Sequence, residues 1–348
     1  IRDYKVTGVQ TCALPILPIT LSKLSEPIHR YAVIEAGINQ IGEMDGLTRM
    51  INPDICVITS IDHSHLAGLG SLENIADEKI KLWVQAKASC LAVFPEELLQ
   101  FDAFSKARSE HPCIVIKKHK ISGAEVDPNQ VLYEISTETN ERGYSQNLKI
   151  KRCGYPPLVI RIPNVSEGMI CNMVLAFVTA WKLGVSDREI SERLPQYRPS
   201  GLRGTCLVGR GCSYVVDCYN ANPASMLDSI RFFHSQFPDS PRLLVLGGMK
   251  ELGEASDLLH KSTGSQISMH PSDHAIIIGE DARPMALGMI ENGGIAENIT
   301  VLPEPELARP LIEGFRGAVL IKGSRSYQLE DLIPFWAVEE KEEMMLAC

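Results

Sequence analysis

The chain has 348 residues, 45% hydrophobic and 22% charged, with 34 Lys plus Arg against 43 Asp plus Glu. At about 150 residues per domain this suggests two domains with enough apolar residue for real cores, which excludes a disordered chain or a small disulfide scaffold. A net charge of −9 with no basic block excludes sequence-independent nucleic-acid binding, and no apolar run approaches the roughly 18 residues that span a bilayer.

In chain order, the first residues stand apart. They lack the basic region, apolar core and cleavage site of a secretory signal. The string VTGVQTCALPI at 6–16 reads as translated sequencing adapter, so residues 1–16 are set outside the fold and native sequence is expected from about Leu17. Ten scattered cysteines without a CxxC pair fit reduced thiols better than a disulfide framework or a zinc site.

From residue 31 the pattern alternates short apolar runs with helical stretches. YAVIEAG (31–37), DICVITS (54–60) and CLAVFP (90–95) predict buried strands, while 42–51 and 72–86 predict helices. Between 101 and 163, IVIKKHK, VLYEIS, LKIKRC and LVIRIP predict a small mixed-sheet extension, followed by an apolar helix over 167–184. YRPSGLRG (197–204) reads as a linker. The alternation then restarts: strands at CSYVVDCYN, RLLVLGG, HAIIIGE, ITVLP and GAVLIKGS, with helices over 222–237 and 255–269, predict a Rossmann-like unit. The tail EEKEE (339–343) reads as a solvated helix face.

Polar clusters fall where an open α/β sheet places its chemistry, just past the carboxyl ends of strands. Glu35 closes YAVIEAG and could hold Mg²⁺ or simply cap a turn. His63 and His65 precede a Gly-rich turn; without a further ligand cluster they read as surface or capping histidines. Lys79, beside Asp77 and Glu78, reads on spacing alone as a solvated helix lysine. DCYNANPASM (217–226) offers a strand-end carboxylate, two amides and a helix N-terminus, a set suited to ribose and anionic oxygen. LGGMKELGE (246–254) and IKGSR (321–325) are two further strand-end loops, the second with cations that suit a carboxylate or phosphate or simply a salt-bridged loop.

Together PITLSKL, VIEAG, ITSIDHSHLAGLGSLENIADEK, DCYNANPASM, LGGMKELGE and IKGSR resemble the Mur ligases over about 17–336. YNANP followed by GxMxELGE resembles the members that add D-alanyl-D-alanine to UDP-N-acetylmuramoyl-tripeptide. The resemblance implies a cytoplasmic, ATP- and Mg²⁺-dependent peptide ligase of peptidoglycan synthesis that works through an acyl phosphate. It implies a partial central ATP-binding domain over 17–199 and a Rossmann-like domain over 200–348. Glu35 and His65 would then serve Mg²⁺, with Lys79 carbamylated into an anionic ligand. Asn172 would lie near adenine, Arg203 would reach phosphate, and Asp217 with Asn220 and Asn222 would hold ribose. Lys322, Ser324 and Arg325 would face the substrate side.

Three departures accompany the resemblance. The chain contains no Gly-Lys dipeptide, so the GxxxxGK[ST] phosphate loop is missing and the chain as given is expected to be inactive. Gly168 and Met169 stand where the family has His-Asn, and Gly248 stands where it has Asp. Two rival functions remain at this stage: an amide ligase with another amino-acid substrate, and a non-catalytic binding protein on the same fold.

Overall fold

The computed structural model describes residues 17–339, except 19–20, 23, 25–28, 122, 124, 141–142 and 200. The adapter-like segment 1–16 and the tail 340–343 lie outside the described residues. The fold is α/β, built on two sheets.

The first sheet has six strands in sequence order: β1 (Ile55–Val57), β2 (Leu91–Pro95), β3 (Cys113–Lys118), β4 (Gln130–Asn140), β5 (Gly143–Arg152) and β6 (Leu158–Ile162). β1 to β4 pair parallel and β4 to β6 antiparallel, so the expected extension is the continuation of one sheet. β2 and the first four residues of β3 are apolar, as strands covered on both faces require. Ala92 and Phe94 enter the core with Trp83 and Phe104, while Val93 faces the core of Val174 and Phe177.

The run YAVIEAG is not a strand in the sheet. Among the described residues 31–38 carry no ladder, and β1 forms the sheet edge. An extended segment needs a partner for its backbone groups to count as sheet; here only one face is used. Ile34 and Ala36 rest on the core, whereas Val33 is 74% exposed and Glu35 lies on the exposed side with it.

The second sheet has seven strands in the order β11-β10-β9-β12-β8-β7-β13. They are β7 (Thr205–Gly209), β8 (Cys212–Asp217), β9 (Arg242–Gly247), β10 (His274–Ile278), β11 (Ile299–Leu302), β12 (Ala318–Lys322) and β13 (Val338–Glu339). The five from β8 to β12 are parallel, as the alternation predicted. Two strands were missed. β7 pairs antiparallel with β8, and β13 pairs antiparallel with β7. Glu339, expected on a helix, therefore ends a strand.

Helix starts follow their caps. Ser166 opens the Glu167–Lys182 helix by accepting from the Met169 N–H, and Asn222 with Ser225 forms a capping box ahead of Pro223. Glu78 is a cap no spacing rule announces: 2% exposed, it accepts from the Gly42 and Met44 N–H groups at the start of the Glu43–Ile51 helix and pairs with Lys81 at 2.7 Å.

On the Pro223–Gln236 helix, the buried His234 Nε2 has no hydrogen-bond partner among the described residues. Burial, with help from Arg242, pushes His234 down to about 4, against a smaller upward pull from Asp273. Between pH 6.5 and 4 the unfolded chain takes up a proton that the folded chain refuses, so stability falls as pH drops through that window. The expected loss between pH 7 and 4.5 is about 2 kcal/mol, discounted for partial exposure. Urea denaturation at both pH values checks it, and His234→Phe should flatten that part of the profile.

Candidate functional site

A cavity of about 1760 Å³ opens between the two sheets. Its floor is made of strand ends. Thr59 to Asp62 follow β1, Pro95 ends β2 and Lys118 ends β3; from the other side come Asp217, ending β8, and Lys322, ending β12. Both sheets thus point their carboxyl edges at one space, the usual ligand position of an open α/β sheet.

Asp217 is the best-held group in it. Lys322 Nζ donates to its Oδ2 at 2.7 Å and the Ser229 hydroxyl donates to the same oxygen. The parallel register places Lys322 directly opposite Asp217, and the lysine is 1% exposed; among the described residues its ammonium donates to Asp217 and, at 3.4 Å, to the Asn220 carbonyl. Oδ1 of Asp217 takes no part in these bonds and the residue lines the cavity, so the carboxylate can accept from hydroxyl donors.

Around it, Asn220 closes its own turn by accepting from the Ala221 N–H at 2.9 Å. Asn222 caps the helix and donates to Ser64 Oγ at 3.1 Å, a contact from the second sheet to the first. Arg203 is exposed and stacks over the Tyr219 ring at 3.9 Å. Asn172, exposed on the Glu167–Lys182 helix, lines the opposite wall.

Lys79 reaches this wall from behind. It is half-buried and donates to the Ser60 carbonyl at 2.9 Å. The solvated-lysine expectation is therefore corrected: Asp77 is exposed and Glu78 is engaged with Lys81, so neither neighbour pairs with it. Burial lowers the Lys79 pKa below its ordinary value, with Asp62 pulling the other way.

The cavity lining thus unites Asn172, Arg203, Asp217, Asn220, Asn222 and Lys322. Glu35, His65, Ser324 and Arg325 are not part of that lining. His65 Nδ1 pairs with Glu251 Oε2 at 2.5 Å. Ser324 is buried and its Oγ accepts from the Lys250 N–H at 2.9 Å; Arg325 pairs with Glu330. Among the described residues no three His, Cys, Asp or Glu side chains form a group able to hold a metal.

The sequence reading passed over Asp228, whose Oδ2 accepts from the Gly168 N–H at 3.2 Å and ties the two halves together across the cleft. The signal was present: Ser225, Asp228, Ser229 and Phe232 recur at helical spacing and all line the cavity. Gly248 also has a reason of its own. A Cβ there would meet the Tyr327 hydroxyl at 2.6 Å and both Asp281 oxygens at 3.1 Å, so the family's aspartate would have to displace this Tyr–Asp pair.

Comparison with known proteins fits this architecture. A Mur ligase middle domain model matches residues 9–180, and a Mur ligase, glutamate ligase domain model matches residues 204–325. The UDP-N-acetylmuramoyl-tripeptide–D-alanyl-D-alanine ligase of Bacillus subtilis is 28% identical over 323 residues, covering 91% of this chain and 66% of that protein. Its Haemophilus influenzae counterpart is 26% identical over 326 residues with the same coverage. The chain therefore spans just under two thirds of these relatives. The same fold appears in MurF from Acinetobacter baumannii (TM-score 0.75, 24% identity, 91% of this chain and 66% of that one). It appears also in MurF ligase from Thermotoga maritima in complex with ADP (TM-score 0.70, 18% identity, 92% and 69%).

Proposed function

The chain belongs to the Mur ligase family, and on that premise we propose that it is the catalytic-cleft portion of an ATP-dependent ligase joining D-alanyl-D-alanine to UDP-N-acetylmuramoyl-tripeptide. The observation that carries this reading is Asp217, fixed by Lys322 and Ser229 at a strand end facing the cleft.

In this reading the Asp217 carboxylate accepts from ribose hydroxyls. Asn220 and Asn222 shape the turn that presents it, Asn172 meets the base from the opposite wall, and Arg203 swings from Tyr219 to phosphate oxygen. The tripeptide carboxylate takes the γ-phosphoryl group with release of ADP. The D-alanyl-D-alanine amine then attacks the acyl carbon, losing a proton as phosphate departs, with Ser324 and Arg325 on that substrate's side. Cationic side chains offset the charge that builds on the transferring group.

Lys79 suits the carbamate role, because carbon dioxide reacts only with a neutral amine and burial already favours that form. A carbamate there would give Mg²⁺ an oxygen donor of the hard kind it prefers, with Glu35 and His65 as the other protein groups. When bound, Mg²⁺ would neutralise phosphate charge. The boundary between the two units is proposed at 199/200, and the nucleotide-linked substrates place the reaction in the cytoplasm. No helix among the described residues is long and apolar enough to cross a membrane. Because no GxxxxGK[ST] loop occurs in these 348 residues, the chain by itself is expected to bind nucleotide without turning it over.

Isothermal titration with ATP tests the reading. Wild-type chain should release or absorb heat saturably, and Asp217→Ala should weaken affinity at least about tenfold, the worth of one charge-assisted hydrogen bond. Equal affinity in the two would remove Asp217 from the site and overturn the proposal.

A further inference from the structure

The His65–Glu251 pair joins the two halves at a point the cavity does not include. His65 opens the short Leu66–Leu69 helix after β1, and Glu251 lies in the loop after β9. Both hold left-handed backbones, each at φ 64°, a region non-glycine residues seldom enter. Strain of this kind persists only where the surroundings impose it.

Those surroundings are specific. The Ala67 N–H donates to the Glu251 carbonyl at 3.1 Å, and a Cβ on Gly253 would lie 3.3 Å from the Ala67 Cα, so the two loops touch along three residues. Asn222 reaches Ser64 on the same loop. The Glu251 loop is itself pinned from beneath: the fully buried His260 accepts the Met249 N–H at 2.9 Å, and Ser324 accepts the Lys250 N–H. The carboxylate therefore comes from a rigid support.

We infer that Glu251 is a positioning residue for His65. Its carboxylate accepts the Nδ1 proton at 2.5 Å, which fixes the imidazole as the Nδ1–H tautomer and leaves the Nε2 lone pair as an acceptor or ligand atom. Histidine and carboxylate follow strands of different sheets, so the ring is set only while the two halves are seated as seen here. Free in water, imidazole favours the other tautomer, and Nε2 would then carry the proton. The inference rests on the proposed functional role of His65, yet the tautomer is a property of the unliganded chain and can be read without substrate.

The test is a long-range proton–nitrogen correlation spectrum of the chain labelled with nitrogen-enriched histidine, at about pH 8 where histidine is neutral. His65→Gln assigns the signal. In the wild type, His65 should show Nδ1 protonated and Nε2 bare. Glu251→Ala should make the Nδ1–H form the minor one, while Glu251→Gln, which keeps an accepting oxygen, should restore it. The other histidine signals report whether each variant is folded. A wild-type ring protonated on Nε2, or an unchanged tautomer in folded Glu251→Ala, would overturn the inference. Neither result bears on ATP binding through Asp217, and a failed ATP titration would leave the tautomer result standing.

Discussion

Lys322→Met should weaken nucleotide binding by about 10- to 100-fold, because the lysine holds Asp217 in place at the cavity wall. Lys322 is 1% exposed and its ammonium lies 2.7 Å from Asp217 Oδ2, so its charge is committed to the aspartate it holds. A hydrogen bond to a charged group contributes about 1.5–3 kcal/mol, and each 1.4 kcal/mol is about a factor of ten. Without the lysine, Asp217 keeps only the Ser229 hydroxyl on that oxygen and is free to turn from the cleft. The removal also leaves a partly buried carboxylate without its cation, for an expected stability loss of about 2–3 kcal/mol. Lys322→Arg should not rescue either property, because a planar guanidinium fork does not reproduce the point contact the ammonium makes with Asp217 Oδ2. Titration calorimetry and urea denaturation on the same preparations separate the two effects. If Lys322→Met bound ATP as tightly as wild type, Asp217 would not depend on Lys322 for its position.

This lysine also shows how far sequence reading reached. Asp217 was legible because a carboxylate closing an apolar strand before an Asn-Pro turn has a position that spacing alone defines. For Lys322 the sequence left a ligand-binding cation and a salt-bridged loop open, since its partner lies 105 residues away and only the β8–β12 register brings them opposite. Lys79 and Glu78 failed for a related reason. Spacing puts both on one amphipathic helix, but which face meets Ser60 and which meets Gly42 depends on how that helix docks. The parallel strands were readable because sheets covered on both faces demand unbroken apolar runs. The unpaired segment 31–38 has the same kind of run, and composition does not encode whether a neighbour exists to pair with it. β7 and β13 were hidden in turn, being short antiparallel strands of five and two residues outside the βα alternation.

The assembly of the site across two sheets makes its second half sensitive to one buried ion pair. Arg242, at the start of β9, donates from Nε and Nη2 to the two oxygens of Asp273, both at 2.8 Å, and Asp273 also accepts from the His270 N–H at 2.7 Å. Asp273 is 0% exposed and Arg242 nearly so. Asp273→Ala strands a buried guanidinium and removes the acceptor of the His270 N–H, so a loss of about 3–5 kcal/mol is expected. Against a whole-domain stability of about 5–15 kcal/mol, that melts the second sheet first, and Asp217 and Lys322 go with it. ATP binding should therefore disappear at temperatures where the wild type still binds. Replacing both partners, as Arg242→Met with Asp273→Leu, should recover most of the stability, because two apolar side chains leave no charge uncompensated. The double-mutant cycle measured by urea denaturation decides the point. If Asp273→Ala proved as stable as wild type, the pair would contribute nothing, and the retention of a charged bidentate contact in an otherwise apolar sheet edge would need a different physical cause.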